Sequence, residues 1–155
     1  MARNDPIPMT AAGRLSLEVE LAHLTSERRP EIVSRISTTR DEGDLKENAG
    51  YHQAREDQSI VEGRIQEIEA LLRLAVIIEE GSADGAARLG STVTVRDEFG
   101  ETMYHLVGPT EVDVATGRIS ADSPVGQALI GAREGSEVVV DSPNGARTMR
   151  VTQVG

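Results

Sequence analysis

Arg40-Asp41-Glu42-Gly43-Asp44-Leu45-Lys46-Glu47-Asn48 is a short polar stretch set between two long runs of helical character, Thr10 to Thr39 and Glu47 to about Glu79. Two helices joined by so short a connection fold back as an antiparallel pair, and the stretch becomes the far tip of a hairpin. It carries four carboxylates, Asp41, Glu42, Asp44 and Glu47. Like charges gathered in one place repel each other, so the arrangement costs free energy and calls for a use.

The run after the tip is the cleanest periodic signal in the chain. Tyr51, Ala54, Gln58, Val61, Ile65, Ile68, Leu72 and Ala75 recur in steps of three and four, the seam of a coiled coil. The intervening positions carry Arg55, Glu56, Asp57, Glu62, Arg64, Glu67 and Glu69, a solvated face. Gln58, the polar seam residue, reads as a register-setting position. A helix of about 30 residues is roughly 45 Å long. The run before the tip opens on Thr10, a good N-cap. It places Leu17, Leu21, Leu24, Ile32, Val33 and Ile36 at helical spacing. Gly13 weakens its start, and Pro30 predicts either a bend near Arg29 or a helix that tolerates the kink because its partner holds it. Met1 to Pro8 reads as an irregular arm.

Beyond the second run the pattern changes. Gly81-Ser82-Ala83-Asp84-Gly85-Ala86 has linker composition and predicts a boundary between residues 1–80 and 81–155. The period then becomes two. Ser91 to Val95 and Thr102 to Val107 flank Asp97-Glu98-Phe99-Gly100, and Glu137 to Val140 and Arg147 to Val154 flank Ser142-Pro143-Asn144-Gly145; both read as β-hairpins. A third strand is expected near Val112 to Val114, with Ile119 just after Gly117. Ser123-Pro124-Val125-Gly126-Gln127-Ala128-Leu129-Ile130-Gly131 predicts a short capped helix, with Ser at the cap, Pro at the first position and Gly past the end. The expected class is α+β: a helical hairpin followed by a small antiparallel sheet with one helix.

The 155 residues include one Phe, two Tyr, no Trp and no Cys, so disulfides and thiolate metal sites are excluded. No apolar run suggests a signal peptide or a membrane span, and a cytoplasmic protein is expected. The net charge is −10, with 16 acids against 10 bases in residues 1–80 and 10 against 6 in 81–155. Neither half neutralises duplex DNA phosphates by itself. Any contact with nucleic acid is local or arranged by a partner.

Asp44 and Glu47 are three residues apart, which on a helical turn places both carboxylates on one face. Hard cations such as Mg²⁺ take such oxygens, and one or two protein carboxylates suffice when a partner or a phosphate completes the shell. The same Asp44-Leu45-Lys46-Glu47 is also a capping box, with Asp44 as N-cap and Glu47 folding back. The two readings are compatible, and both stay open. Arg40 and Arg55 are candidates for RNA phosphate, although isolated surface arginines are as a rule simply solvated. His23, His52 and His105 have no ligand spacing, and no nucleophile triad or phosphate loop is present. The chain carries no self-sufficient active site.

Gly43-Asp44-Leu45-Lys46-Glu47-Asn48-Ala49-Gly50-Tyr51-His52-Gln53-Ala54-Arg55-Glu56 resembles the tip signature of the bacterial Gre family of transcript cleavage factors. Ser123 to Gly131 resembles the family's second signature, in its carboxy-terminal domain. Ile7-Pro8-Met9-Thr10 and Arg29-Pro30-Glu31-Ile32 also match, so the likeness runs from about Pro8 to Val154 and is most similar to the GreA branch. The resemblance implies an antiparallel coiled coil followed by a domain of FKBP-like fold. It further implies a monomeric cofactor, not an enzyme. Such a factor binds bacterial RNA polymerase, enters its secondary channel and stimulates cleavage of the 3′ end of backtracked nascent RNA. On that resemblance Asp44 and Glu47 help hold a second Mg²⁺ and its attacking water, jointly with the polymerase, and Ser123 and Pro124 dock the globular domain. The chain departs from the family at Gly50, where Glu is common, and at Ser136, where Asp or Asn is usual. Asp41 and Glu42 add acids to the tip. Relatives of this fold with altered tips inhibit the polymerase, so a channel-blocking inhibitor is the alternative expectation.

Overall fold

The computed structural model describes residues 4–155. Contacts divide the chain into a helical unit, Arg14–Leu74, and a sheet unit made of the segment ending at Gly13 together with Ala75–Gly155. The boundary expected at 80/81 therefore falls earlier, after Leu74, and the start of the chain belongs with its second half.

The helical unit is a hairpin. Helix α1 (Ala11–His23) begins in the sheet unit and continues through a π-helical turn, Leu24–Arg28, into α2 (Arg29–Arg40); α3 (Ala49–Leu74) returns. Near Pro30, where a bend or a tolerated kink is expected, the helix continues through this wide turn. Proline has no N–H for the carbonyl four residues back, so the Arg29 N–H reaches five back to Leu24 and Pro30 takes an early position of α2. Hydroxyls serve the carbonyls of the preceding turn: Thr25 Oγ1 donates to Leu21 O and Ser26 Oγ to Ala22 O. Helix α3, at 26 residues, is about 39 Å long.

Ala54, Val61, Ile65 and Ile68 of the seam are buried, and Ile32 and Ile36 of α2 join Ala54, Val61 and Ile65 in one cluster against Leu21, Leu24 and Tyr51. Burial of each aliphatic side chain is worth about 1.5–3 kcal/mol. Val33, grouped by spacing with the apolar positions of this run, is instead 52% exposed, because it follows Ile32 by one residue and points about 100° away. Across the hairpin Arg29 forks onto Glu62 at 2.7 and 2.9 Å, Arg64 onto Glu20, and Arg35 Nη1 donates to Asp57 at 3.1 Å.

Helix α3 stops five residues before Glu79. Ala75–Ile77 forms strand β2, paired in parallel with β1 (Ile7–Met9), Ile7 opposite Ala75. Of the expected irregular arm, residues 1–3 lie outside the described residues, while Ile7 and Pro8 belong to β1. Met9 is fully buried. Thr10 caps α1 by accepting from the Gly13 N–H at 3.1 Å, and it donates its own N–H and hydroxyl to the Glu111 carboxylate. Gly13 is required there, since a Cβ would lie 2.4 Å from Glu111 Cδ.

The expected linker is a structured loop of the sheet unit. Ser82 Oγ donates to Ala86 O and accepts from Gly85 N, and the Gly81 N–H donates to Gly90 O at 2.8 Å. Five strands follow, β3 (Thr92–Asp97), β4 (Gly100–Val107), β5 (Arg118–Ser120), β6 (Glu137–Ser142) and β7 (Gly145–Val154), in spatial order β5-β4-β3-β7-β6. Both predicted hairpins form. The sheet is antiparallel except at one edge, where β4 and β5 run parallel. The third strand is thus Arg118–Ser120, not Val112 to Val114, where Val114–Thr116 makes a 3-10 turn. Val93, Val95, Leu106, Ile119, Val140, Met149 and Val151 form the core with Leu129 of α4 (Pro124–Leu129). The α+β class is as the sequence predicts. Among the described residues no helix is long and apolar enough to cross a membrane.

Candidate functional site

The tip is a backbone turn held between two helix ends. The Asp41 N–H closes α2 on Ser37 O at 3.2 Å, and Glu42 N–H donates to Thr39 O. Gly43 has φ +143, a conformation that other residues adopt only under strain, and nothing crowds it. Asp44 Oδ1 accepts the Lys46 N–H at 3.0 Å, and the Glu47 N–H donates to Asp44 O at 3.3 Å. This local turn brings the two carboxylates expected to act together onto one depression of about 260 Å³, lined by Glu42, Gly43, Asp44, Glu47 and Asn48.

The capping box is corrected here. Helix α3 begins at Ala49, and its cap is Asn48: Oδ1 accepts the Tyr51 N–H at 3.0 Å, while Nδ2 donates to Thr39 O of α2. One amide thus satisfies a donor at the start of one helix and an acceptor at the end of the other. Asp44 and Glu47 are released from that duty. Asn directly before a helical run was a legible cap signal, but the Asp-x-x-Glu pattern four residues earlier drew the reading away from it. Gly50, the departure from the family pattern, sits tightly: a Cβ there would meet Thr39 Cγ2 at 3.3 Å.

All four tip carboxylates are exposed. Among the described residues Asp41, Glu42 and Glu47 have no side-chain hydrogen bond or ion pair, and Asp44 has only the Lys46 N–H. Farther along the hairpin the charges are engaged. Hydrogen bonding to Arg29 holds the Glu62 carboxyl below its ordinary range; the Gln53 amide, then Arg35, does the same for Asp57. The partners Arg29 and Arg64 are pushed up, Arg64 chiefly by Glu20. Arg40, the last residue of α2, and Arg55, in the second turn of α3, are exposed and have no carboxylate partner among the described residues.

Two carboxylates do not make a complete metal site. Among the described residues no three His, Asp or Glu side chains group to hold an ion. The donor set does fit Mg²⁺ in one respect: it is all-oxygen, anionic and exposed, suited to an ion whose other ligands come from a partner.

Ser123 and Pro124 lie in the sheet unit. Ser123 Oγ accepts the Gly126 N–H at 3.1 Å and donates to Ser120 O at 2.6 Å, so its hydroxyl is spent on capping α4, whereas Pro124 is exposed. Gly126 is needed for the close approach of α4 to β5, since a Cβ would lie 2.0 Å from Ser120 O.

Two family models match the chain: "Transcription elongation factor, N-terminal" over residues 7–77 and "Transcription elongation factor, GreA/GreB, C-term" over residues 82–155. Among curated relatives, the transcription elongation factor GreA of Rhodospirillum rubrum is 46% identical over 153 residues, covering 97% of this chain and 98% of its own. GreA of Cereibacter sphaeroides is 44% identical over 97% of both chains. Among solved structures, the GreA factor homolog 1 (Gfh1) protein of Thermus thermophilus is 31% identical over 97% of this chain and 99% of its own, with a TM-score of 0.45.

Proposed function

Since the chain belongs to the GreA/GreB family of transcription elongation factors, we propose that it acts as a transcript cleavage factor of bacterial RNA polymerase. In this reading the hairpin enters the secondary channel of the polymerase and brings its tip to the 3′ end of backtracked RNA. The cleavage is the polymerase's own; this chain lends it groups and is not itself an enzyme.

The observation that carries the reading is the contrast within the tip. Asn48 does the structural work, while Asp44 and Glu47 line one depression, and among the described residues the Lys46 N–H on one Asp44 oxygen is the single side-chain hydrogen bond either of them makes. Those two residues would hold Mg²⁺ jointly with the polymerase; such an ion, when bound, activates water and neutralises charge developing on the phosphate. Asp44, oriented by the Lys46 N–H, presents its second oxygen; Glu47 presents both. Gly43 lets the chain turn sharply enough to point the pair outward. Arg40 and Arg55, unpaired and flanking the tip in sequence, supply cations for RNA phosphate. Ser123 shapes the start of α4, and exposed Pro124 meets the polymerase.

The test is cleavage of 3′-labelled RNA in a backtracked complex of the cognate polymerase with Mg²⁺. Short 3′ fragments are expected with the native chain and not with Asp44→Asn/Glu47→Gln. Normal cleavage by the double variant refutes the assignment of the tip. The second reading, a channel-blocking inhibitor, is favoured by exposed and unpartnered Asp41 and Glu42; slowed elongation without fragments is its signature.

A further inference from the structure

Ser142-Pro143-Asn144-Gly145 turns the chain from β6 into β7, and the proposed function leaves this motif unused. Ser142 and Gly145 are the last pair of the hairpin ladder, so Pro143 and Asn144 form its loop. Every residue from Asp141 to Thr148 is exposed. An asparagine amide carbon and the next backbone nitrogen can close a five-membered ring. Two things hold that reaction back: a side chain on the next residue, which crowds the nitrogen, and hydrogen bonds that tie the amide elsewhere. The chain has three asparagines, and they differ in both respects. Asn4 precedes Asp5, which brings a side chain. Asn48 precedes Ala49, and its amide is tied at both ends, to Thr39 O and the Tyr51 N–H. Asn144 precedes a glycine and makes no side-chain hydrogen bond among the described residues. Gly145 has φ +112, and a Cβ there would meet nothing within 4 Å, so its surroundings are open. The closing pair of a ladder also opens at little cost, which gives the loop the freedom that ring closure needs.

We propose that Asn144-Gly145 is a site of spontaneous covalent modification, where Asn144 deamidates through a succinimide to aspartyl and isoaspartyl products. The Gly145 nitrogen loses its proton and bonds to Asn144 Cγ. The Cγ–Nδ2 bond breaks, and Nδ2 takes up a proton and leaves as ammonia. One water then opens the ring. Cleavage between Cγ and the Gly145 nitrogen gives aspartate at position 144. Cleavage at the main-chain carbonyl carbon gives isoaspartate, with the backbone routed through Cβ and Cγ. The water consumed balances the ammonia released, and no oxidant or cofactor takes part. Asn144 borders a depression shared with Asp97, Glu98 and Arg147. Both products therefore add a carboxylate next to two acids, and Arg147 is already paired with Asp97. The isoaspartyl product also lengthens the loop by one methylene. None of this depends on the reading of the chain as a polymerase factor.

The experiment holds the full folded chain in mildly alkaline buffer, which favours the deprotonated nitrogen. Samples taken over time are digested with trypsin for mass spectrometry and labelled by an isoaspartyl methyltransferase with a methyl donor. The peptide from Glu134 to Arg147 holds Asn144, and the peptide from Glu47 to Arg55 holds Asn48. The first is expected to lose its amide form progressively and to take up label, faster as pH is raised. The second is expected to stay as it was. Asn144→Gln removes both signals from the first peptide, and a parallel sample in urea gives the behaviour of the chain without its turn. Conversion at Asn144 in urea with none in the folded chain overturns the inference, because the hairpin then protects the site. Conversion of Asn48 in the folded chain as fast as that of Asn144 overturns it too, since the two environments would then make no difference.

Discussion

The shaft of the hairpin and its tip spend charge in opposite ways. Along the shaft Arg29, Arg35 and Arg64 each sit against a carboxylate of the opposing helix. At the tip Asp41, Glu42 and Glu47 face solvent, and among the described residues neither they nor Arg40 and Arg55 have a charged partner. The same residue types do both jobs. What separates them is whether the fold has already supplied the counter-charge. Paired groups fix register and discourage wrong alignments of the helices, whereas unpaired ones keep their full interaction energy for whatever arrives.

The sharpest test of this division is the double variant Asp44→Asn/Glu47→Gln. Stimulated cleavage should fall by about a hundredfold or more, as is typical when groups that stabilise a transition state are lost, while the melting temperature hardly moves. A large loss of stability would break the comparison, because it would make the tip carboxylates structural. Ile65→Ala probes the other side. It should cost about 2–5 kcal/mol by leaving a cavity in the seam, read as a lower melting temperature of the helical signal in circular dichroism. Asn48→Ala lies between the two. Losing the cap costs about 1 kcal/mol, and losing the bond to Thr39 lets the tip loosen. Cleavage should therefore decline along with stability, a pattern that neither other variant produces. Arg40→Gln and Arg55→Gln should leave stability within about 0.5 kcal/mol and weaken cleavage several-fold.

The smallest effect is a pH dependence. The native carboxyls of Glu62 and Asp57 titrate below their unfolded values. Their contribution is therefore complete above the ordinary carboxylate range of about 4–4.5 and is lost as pH falls through the depressed native values. Glu62→Gln should flatten the decline in melting temperature between neutral and acid pH.

Much of this division was legible in the residues. The three-four spacing from Tyr51 to Leu72 named the seam of α3, every member of it at least half-buried, while Ala75, read as its last member, lies in β2. Ser123-Pro124 with Gly131 named α4 and its cap, which forms as read. The failures have a common physical origin in long-range pairing. Ala75–Ile77 continues a helical pattern, and only hydrogen bonding to Ile7–Met9 turns it into a strand. The Gly81–Ala86 segment has the composition of a flexible linker and of a tight loop alike; the Ser82 bonds to Gly85 and Ala86 decide between them. Gly13 looked like a local weakness, and its reason lies with Glu111, far along the chain. At the tip the miss was local. Asp44 and Asn48 are both good caps, and the choice fell to the residue able to reach Thr39 as well as Tyr51.

The pairing of β1 with β2 sets an order of events during synthesis. Ile7 lies opposite Ala75, 68 positions later, so at about 5–20 residues per second the first strand leaves the ribosome several seconds ahead of its partner. In that interval the whole helical hairpin has emerged and is free to close on its own local contacts, which form fast. Met9, destined for complete burial, waits uncovered until the chain has gone out to the tip and come back. The translated chain thus completes its helical hairpin before it can seal the β1–β2 pair.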